Sequence, residues 1–191
     1  MANITKVNFD YIKKWEGKLS SDTRDPAAKN PCPTLTYQGK PLHTNTGVTW
    51  AAFHQHFPTA AESVFLSMPT QMWLAIYEQG YWNFVKASEI DSQGIAELLA
   101  DWAWGSGVYA SFGLQKCLKS MGYPCIVDGM IGKVTIGLLN KAIAEKGART
   151  VFDNIYKART TFLQSLAGWK TWGVGWTNRM KDFYQYGITV L

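Results

Sequence analysis

The sequence has no long hydrophobic run, no concentration of charge of one sign and no signal-like start. No apolar stretch approaches the roughly 20 residues of a membrane-spanning helix, so we expect no membrane insertion. The net charge of +5 is spread over 191 residues without a basic run. That distribution argues against nucleic acid as a partner and favours a general attraction to an anionic surface. The N-terminus lacks the basic start and apolar core of a signal peptide, and we therefore expect synthesis in the cytoplasm.

Cysteine and histidine are too few and too scattered for a disulfide framework or a metal site. Cys32, Cys117 and Cys125 cannot all pair within one chain, and an odd count without an export signal favours free thiols. No Cys-x-x-Cys pair or His-rich cluster occurs, so we expect neither a metal ion nor a cofactor. A Gly-x-Ser-x-Gly elbow and a glycine-rich phosphate-binding loop are also missing, which disfavours the enzyme classes that depend on them.

Hydrophobic residues are plentiful. They make up 47% of the chain against 17% for charged residues, which is enough for a sizeable core in one domain, or in one core with a small appended lobe. Aromatic residues reach 14%. Most of them belong in such a core, and others are suited to stacking on the faces of sugars in a groove.

Helical spacing of apolar residues begins near the N-terminus. Val7, Tyr11, Ile12 and Trp15 predict a first helix over about 6–16, with Glu16 in its last turn and glycine just beyond. The helix dipole disfavours a negative charge at that end, a useful bias for a carboxyl group that must donate a proton. A polar, proline-broken loop follows over residues 18–46, in which Gln38-Gly39 predicts the turn of a small hairpin.

The rest of the chain is patterned as helices. Thr49 and Ser92 are predicted N-caps, and Thr59-Ala-Ala-Glu62 reads as a capping box. In the tail, glycines alternate with aromatics, so we predict only a short helix around residues 178–184. The fold class that follows is mainly α, with one long irregular loop after the first helix.

Glu16, Asp25 and Thr44 form the constellation best suited to chemistry. Hydrolysis of a glycosidic bond needs one protonated carboxylic acid and a second, less buried carboxylate that assists a water or the oxocarbenium-like transition state. Glu16 and Asp25 fit these two roles, and the hydroxyl of Thr44 is able to hold the water. The structural alternatives are a solvated surface glutamate, an aspartate in an Asp-Pro turn and a threonine that caps the loop.

The order of several motifs resembles glycoside hydrolase family 108. The family pattern reads approximately Glu-Gly-Gly, Asp-Pro and Ala-Thr-x-x-Gly-Ile/Val-Thr. The matching stretches are Trp15-Glu16-Gly17, Asp25-Pro26, Thr44-Asn45-Thr46-Gly47-Val48-Thr49, Ile76-Tyr77, Tyr81-Trp82, Leu114-Gln115, Val127-Asp128-Gly129, Ile131-Gly132, Thr135, Ala158-Arg159, Phe162 and Gly175-Trp176-Thr177-Asn178-Arg179. They cover nearly the whole chain.

The resemblance implies a lysozyme-like fold of the α+β lysozyme superfamily and N-acetylmuramidase activity on peptidoglycan. Such an enzyme cleaves the β-1,4 bond between N-acetylmuramic acid and N-acetylglucosamine. The catalytic acid of the family falls on Glu16, and Asp25 and Thr44 take supporting roles. Two other functions stay open: a peptidoglycan-binding module without catalysis, and a lytic transglycosylase.

The resemblance also implies a division of the chain and a set of partners. Residues 1–107 correspond to the lysozyme-like catalytic part and residues 108–191 to a helical peptidoglycan-binding part, and we expect them to pack as one continuous globule. The implied substrate-binding residues are Tyr81, Trp82, Gln115 and Asp128. The expected partner is the glycan strand, met by a monomer in the cell wall (periplasm) after endolysin-like release, with a holin as the natural helper.

Some of these residues also have a structural interpretation. Asp128-Gly129 is a typical turn, and Gln115 is able to satisfy buried backbone groups. The chain also departs from the family pattern at three places: Lys18 replaces the second glycine of the motif, the loop between Asp25 and Thr44 is much longer, and Trp104-Gly105-Ser106-Gly107 stands where many members have Asn-x-Gly.

Overall fold

The computed structural model describes all 191 residues and is mainly α-helical, as predicted. The helices are α1 Phe9–Lys13, α2 Trp50–His56, α3 Glu62–Leu66, α4 Thr70–Tyr77, α5 Gln93–Ser106, α6 Tyr109–Ser120, α7 Lys133–Lys146, α8 Ala148–Ser165 and α9 Trp169–Gly187. The strands are β1 Leu19–Ser20, β2 Thr36–Tyr37, β3 Lys40–Pro41, β4 Thr44–Asn45 and β5 Val48–Thr49. The chain forms two compact units: an N-terminal unit, Asn8–Tyr77, and a C-terminal unit, Glu78–Leu191 together with Met1–Val7.

The first helix is shorter than predicted. It begins after Asn8, whose side chain accepts a hydrogen bond from the N–H of Tyr11 (3.0 Å), and it ends at Lys13. Glu16 lies three residues further on, in a turn in which its N–H donates to the carbonyl of Lys13 (3.0 Å). The helix was predicted too long because Trp15 continues the helical spacing of apolar residues, although the backbone leaves the helix after Lys13. A five-residue helix that ends before Glu16 gives no basis for the dipole argument.

A small antiparallel sheet positions the residues after Glu16. Its strand order is β1-β4-β5, with Ser20 opposite Thr44 and Thr44 opposite Thr49. The β4–β5 turn has positive φ at both central residues, Thr46 (47°) and Gly47 (76°). The indole N–H of Trp73 donates to the carbonyl of Thr46 (2.8 Å), which fixes this turn on α4. Residues far apart in sequence are thereby brought to one sheet.

The insert between Asp25 and Thr44 is an ordered part of the N-terminal unit. The predicted hairpin is confirmed: β2 pairs with β3 across a turn with positive φ at Gln38 (53°) and Gly39 (73°). The capping box predicted at Thr59 is wrong. The N-cap of α3 is Ala61, whose methyl group cannot accept a hydrogen bond, and the carboxylate of Glu62 instead accepts the N–H of Thr34 in the insert.

The C-terminal unit is organised around α5, which is buried through most of its length and packs against α6, α8 and α9. Two arginines from α8 and α9 converge on the buried carboxylate of Asp101: Arg159 at 2.7 Å and Arg179 at 2.6 Å. Burial opposes the charge of Asp101, but the attraction of Arg179 and Arg159 keeps its pKa below the ordinary value. These two arginines, which lie in motifs resembling the family, have a structural role.

The short helix predicted in the tail is wrong, since α9 spans Trp169–Gly187. Gly173, one of the glycines of the tail, lies where the indole of Trp169 covers the helix: a Cβ there would be 2.8 Å from the ring atom Cδ2. All three cysteines are free, as predicted, and all three are buried. No helix is both long and apolar enough to cross a membrane. The division of the chain at residue 107 stays a prediction.

Candidate active site

Glu16, predicted from the sequence to be the proton donor, lies in a turn of the N-terminal unit. Its side chain is half-buried, and the residue lies between the end of α1 and the start of β1. The turn that holds it is closed by backbone hydrogen bonds from Trp15 to Ile12 (3.2 Å) and from Glu16 to Lys13 (3.0 Å). Ile12 is a buried core residue. The position of the Glu16 backbone is therefore set by the anchoring of α1 in the core.

Thr44, half-buried on β4, is oriented by a neighbour that the sequence did not single out. The Nδ1 atom of His43 lies 2.8 Å from the Thr44 hydroxyl, and its Nε2 atom lies 3.1 Å from the carbonyl oxygen of Asp22. A carbonyl only accepts, so Nε2 carries a proton, and in the tautomer protonated at Nε2 alone the Nδ1 atom accepts from Thr44. This arrangement leaves the lone pairs of the Thr44 oxygen available to a water.

Asp25 lies at the surface, at the start of the insert. Its Oδ1 atom accepts the N–H of Ala27 (2.8 Å) and caps the short 3-10 turn Pro26–Lys29. Its Oδ2 atom makes no hydrogen bond in the structure. The Asp-Pro turn considered from the sequence therefore exists, and it still leaves one carboxylate oxygen for other contacts.

A second carboxylate, Asp22, lies closer to the sheet. Arg24 binds both of its oxygens, with Nε at 3.0 Å from Oδ1 and Nη2 at 2.6 Å from Oδ2. These hydrogen bonds hold the pKa of Asp22 well below its usual range, so the group stays ionised. Because Arg24 occupies both oxygens, Asp22 is less available than Asp25 to a substrate or water.

An open polar cleft of about 600 Å³ separates the segment that begins at β1 from the hairpin of the insert. Ser20, Asp22 and Arg24 line one side, and Tyr37, Gln38 and Lys40 line the other. The insert therefore forms one wall of the cleft. The opposite wall begins on β1, which pairs with β4, the strand that carries Thr44. Hydroxyl, amide and charged groups beside one aromatic ring are suited to a hydroxyl-rich ligand such as a sugar.

The predicted substrate-binding residues Tyr81 and Trp82 lie in the C-terminal unit, in a single π-helical turn over Glu78–Trp82. Tyr81 is half-buried and packs edge-on against Trp104, with ring centroids 4.7 Å apart. Trp82 is fully buried, and its indole N–H donates to the hydroxyl of Ser88 (2.7 Å). Both rings have packing roles, and their contact with sugar stays a prediction.

Gln115 and Asp128 form one structural network. The buried amide of Gln115 donates to Asp128 (2.7 Å) and to the carbonyl of Met130 (3.1 Å), and it accepts from the N–H of Gly129 (2.8 Å). The hydrogen bonds from Met130 and Gln115 lower the pKa of the Asp128 carboxyl. The structural interpretation made from the sequence describes this geometry, and sugar binding by the pair stays a prediction.

The residues that the sequence missed are His43 and Asp22. A short-range signal was present, since His43 directly precedes Thr44. The sequence alone does not show the second contact of the ring, with the carbonyl of Asp22, which lies 21 residues away. No group of three or more His, Cys, Asp or Glu side chains is placed to hold a metal ion.

Comparison with known proteins decides the family. The model of the family described as "Glycosyl hydrolase 108" matches residues 9–107. The chain belongs to glycosyl hydrolase family 108. A second family model, described as "Predicted Peptidoglycan domain", matches residues 109–181. None of the curated proteins compared with the chain matches it significantly.

The similarity extends to a solved structure, that of Brucella abortus SagA. It superposes with a TM-score of 0.73 over 98% of this chain and 94% of the other, at 22% sequence identity. The predicted lysozyme-like fold is confirmed. As a member of family 108 with a peptidoglycan domain, the protein is a glycoside hydrolase of the muramidase type that acts on peptidoglycan, and hence on the cell wall.

Proposed function

We propose that the protein hydrolyses the β-1,4 bond between N-acetylmuramic acid and N-acetylglucosamine, with Glu16 as the general acid. The observation that carries the proposal is the family match over residues 9–107, which includes the Glu16-Gly17 motif, Asp25 and Thr44. The turn that holds Glu16 is closed by backbone hydrogen bonds to α1, whose Ile12 is a core residue, and this supports the role because it fixes the backbone of the acid.

In the proposed reaction, Glu16 donates its proton to the glycosidic oxygen as the bond to the leaving sugar breaks. Positive charge develops on the remaining ring, and the free Oδ2 of Asp25 stabilises it or orients the water. The water oxygen bonds to the ring carbon that lost the leaving sugar, and the proton it releases restores the acid form of Glu16. The oxygen of Thr44 accepts a hydrogen bond from that water, because its own proton is donated to His43. We regard His43 as a positioning residue.

The test is product analysis on purified peptidoglycan, with Glu16→Gln beside the wild type. We expect Glu16→Gln to lose about 10³-fold in the rate of muropeptide release, the range for removal of a general acid. Asp10→Asn, which changes an exposed carboxylate on α1, is the matched control and should keep full activity. Circular dichroism checks that both variants are folded.

Mass spectrometry of the products separates the remaining alternatives. Reducing N-acetylmuramic acid ends are expected, whereas anhydro-muramic ends would identify a lytic transglycosylase. Sedimentation with peptidoglycan without soluble products would identify a binding module. Release to the wall with the help of a holin, and the monomeric state, stay predictions.

A further inference from the structure

A groove of about 560 Å³ lies between α6 and α8 in the C-terminal unit, and none of the proposed catalytic or substrate-binding residues lines it. Its volume lies within the about 300–1,000 Å³ typical of ligand pockets. The residues that give it its character are Trp102, Tyr109, Phe112, Lys116, Lys157 and Phe162. On α6, Tyr109, Phe112 and Lys116 recur at the three- and four-residue spacing of one face. On α8 the same spacing is kept by the lining residues at 154, 157, 161 and 165.

Aromatic rings form the apolar surface of the groove. Tyr109 stacks on Phe162 with ring centroids 5.2 Å apart, and Trp102 lies 5.9 Å from Phe162. Trp102, only 1% exposed, lies behind the groove against Gly113: a Cβ at that position would be 2.1 Å from the indole ring. Tyr109 is 56% exposed although it is large and partly apolar. The rings of Tyr109, Phe112 and Phe162 therefore offer a surface against which a ligand can pack, and Trp102 supports it from behind.

The charge in the groove has one sign. Lys116 and Lys157, both exposed, face it from the two helices, and no aspartate or glutamate is among the lining residues. Neither lysine makes an ion pair, in contrast to Lys86 and Lys141 in the same unit, which pair with glutamates of their own helical segments. Two unpaired ammonium groups beside an apolar surface favour a ligand that carries carboxylates and short apolar side chains.

We propose that this groove binds the peptide stem of peptidoglycan, with Lys116 and Lys157 on its carboxylates and the aromatic rings against its aliphatic side chains. The inference rests on the proposed function, because it takes peptidoglycan as the partner. The sugars of the glycan strand carry no charge of their own, whereas the peptide stem ends in a carboxylate and contains others. The charge of the groove therefore matches the peptide and gives the sugars no advantage.

A second copy of the chain is a poorer occupant. The net charge of +5 makes the approach of another copy to a cationic groove unfavourable. The peptide stem has the opposite sign and a size suited to the cavity. Stem binding by this groove would hold the enzyme on cross-linked wall by contacts separate from those that cleave the glycan.

The test measures binding of two soluble probes to the full chain by calorimetry. The probes are a stem tetrapeptide, L-Ala-γ-D-Glu-meso-diaminopimelate-D-Ala, and the tetramer of N-acetylglucosamine. We expect Lys116→Gln/Lys157→Gln to weaken tetrapeptide binding about fivefold to tenfold, the loss expected for two exposed charge pairs. The control Lys119→Gln/Lys133→Gln removes two exposed lysines that do not line the groove and should bind like the wild type.

A second variant tests occupancy without changing charge. Thr161→Trp fills the groove from an exposed lining position and should weaken tetrapeptide binding at least as much. Raising the ionic strength from about 0.05 M to about 0.5 M should weaken tetrapeptide binding by the wild type, since screening of exposed charges grows with salt. Binding of the sugar tetramer should change in none of these variants.

The inference is overturned if the wild type does not bind the tetrapeptide, if the lysine pair and its control weaken binding equally, or if Thr161→Trp binds normally. Sedimentation of Glu16→Gln with whole peptidoglycan distinguishes this failure from that of the proposed function. Retention on the wall without tetrapeptide binding removes only the groove, whereas absence of both removes peptidoglycan as the partner.

Discussion

Charged groups are used differently in the two units of the molecule. In the N-terminal unit, Asp25 is exposed, Glu16 and Asp22 are half-buried, and the elements that hold them are strands of two residues and short helices. In the C-terminal unit, Asp101 is buried between two arginines on long helices. Asp25, which is exposed and uses one oxygen in the cap of the 3-10 turn, keeps its other oxygen for chemistry, whereas the buried and paired Asp101 is available only for structure. We therefore expect mutation of the carboxylates in the N-terminal unit to change mainly activity, and mutation of Asp101 in the C-terminal unit to change mainly stability.

The largest expected effect on stability comes from Asp101→Asn. The change leaves Arg159 and Arg179 without their carboxylate in a buried site, and breaking such a pair costs about 3–5 kcal/mol in the free energy of unfolding. Urea unfolding followed by circular dichroism measures the loss. Because the pKa of Asp101 is lowered in the folded protein, its contribution is present above the ordinary value of about 4 and is lost as the pH falls.

The control removes all three charges at once. Asp101→Leu/Arg159→Met/Arg179→Leu leaves no unpaired ion, and it should be less destabilised than Asp101→Asn. If Asp101→Asn does not lower the free energy of unfolding, the ion pairs do not hold α5, α8 and α9 together. The buried carboxylate of the C-terminal unit would then have no role in stability.

The next effect concerns activity in the N-terminal unit. Asp25→Asn should lower kcat about 100-fold, in the range for a carboxylate that assists the reaction, with little change in unfolding free energy because Asp25 is exposed. Asp22→Asn should lower kcat much less, because Arg24 occupies both oxygens of Asp22. A larger loss in Asp22→Asn than in Asp25→Asn would move the role of second carboxylate to Asp22.

A smaller effect is expected at His43, where two amide substitutions separate positioning from structure. In His43→Gln the new amide keeps a donor for the carbonyl of Asp22 but offers no acceptor to Thr44, whereas in His43→Asn it keeps the acceptor and loses the donor. His43→Gln should lower kcat about tenfold at unchanged KM, equivalent to one hydrogen bond of about 1.4 kcal/mol. His43→Asn should keep kcat and lose stability. If kcat follows stability in both variants, the role of His43 is structural.

The sequence predicted the long helices of the C-terminal unit better than the small elements of the N-terminal unit. Ser92 caps α5 as predicted, and its side chain accepts the N–H of Ile95. A helix of 14 residues averages its propensities over several turns, so one unusual residue does not hide it. In α9, glycines did hide the helix, because Gly173 is required by the packing of Trp169 and not by a turn.

The candidate site was predictable in its residue types and not in its connections. The motifs single out Glu16, Asp25 and Thr44, but the helix predicted to end at Glu16 ends at Lys13. The contact of His43 Nε2 with the carbonyl of Asp22 joins residues 21 apart and accompanies the pairing of β4 with β1, a register that no local pattern specifies. The role of Glu62 as an anchor for the insert is equally non-local.

The smallest effect compares two buried thiols, one in each unit. Burial raises the pKa of Cys32 and of Cys117 to about 11, and at Cys32 a hydrogen bond from the thiol to Glu62 adds to the shift. Glu62→Gln removes the negative neighbour and loosens the insert at Thr34, so Cys32 should react with iodoacetamide roughly threefold faster. Cys117, which has no acidic partner, serves as the internal control and should not change. Equal acceleration at both thiols would mean that Glu62 supports the whole fold, whereas acceleration at Cys32 alone places its effect within the insert and keeps the two units distinct.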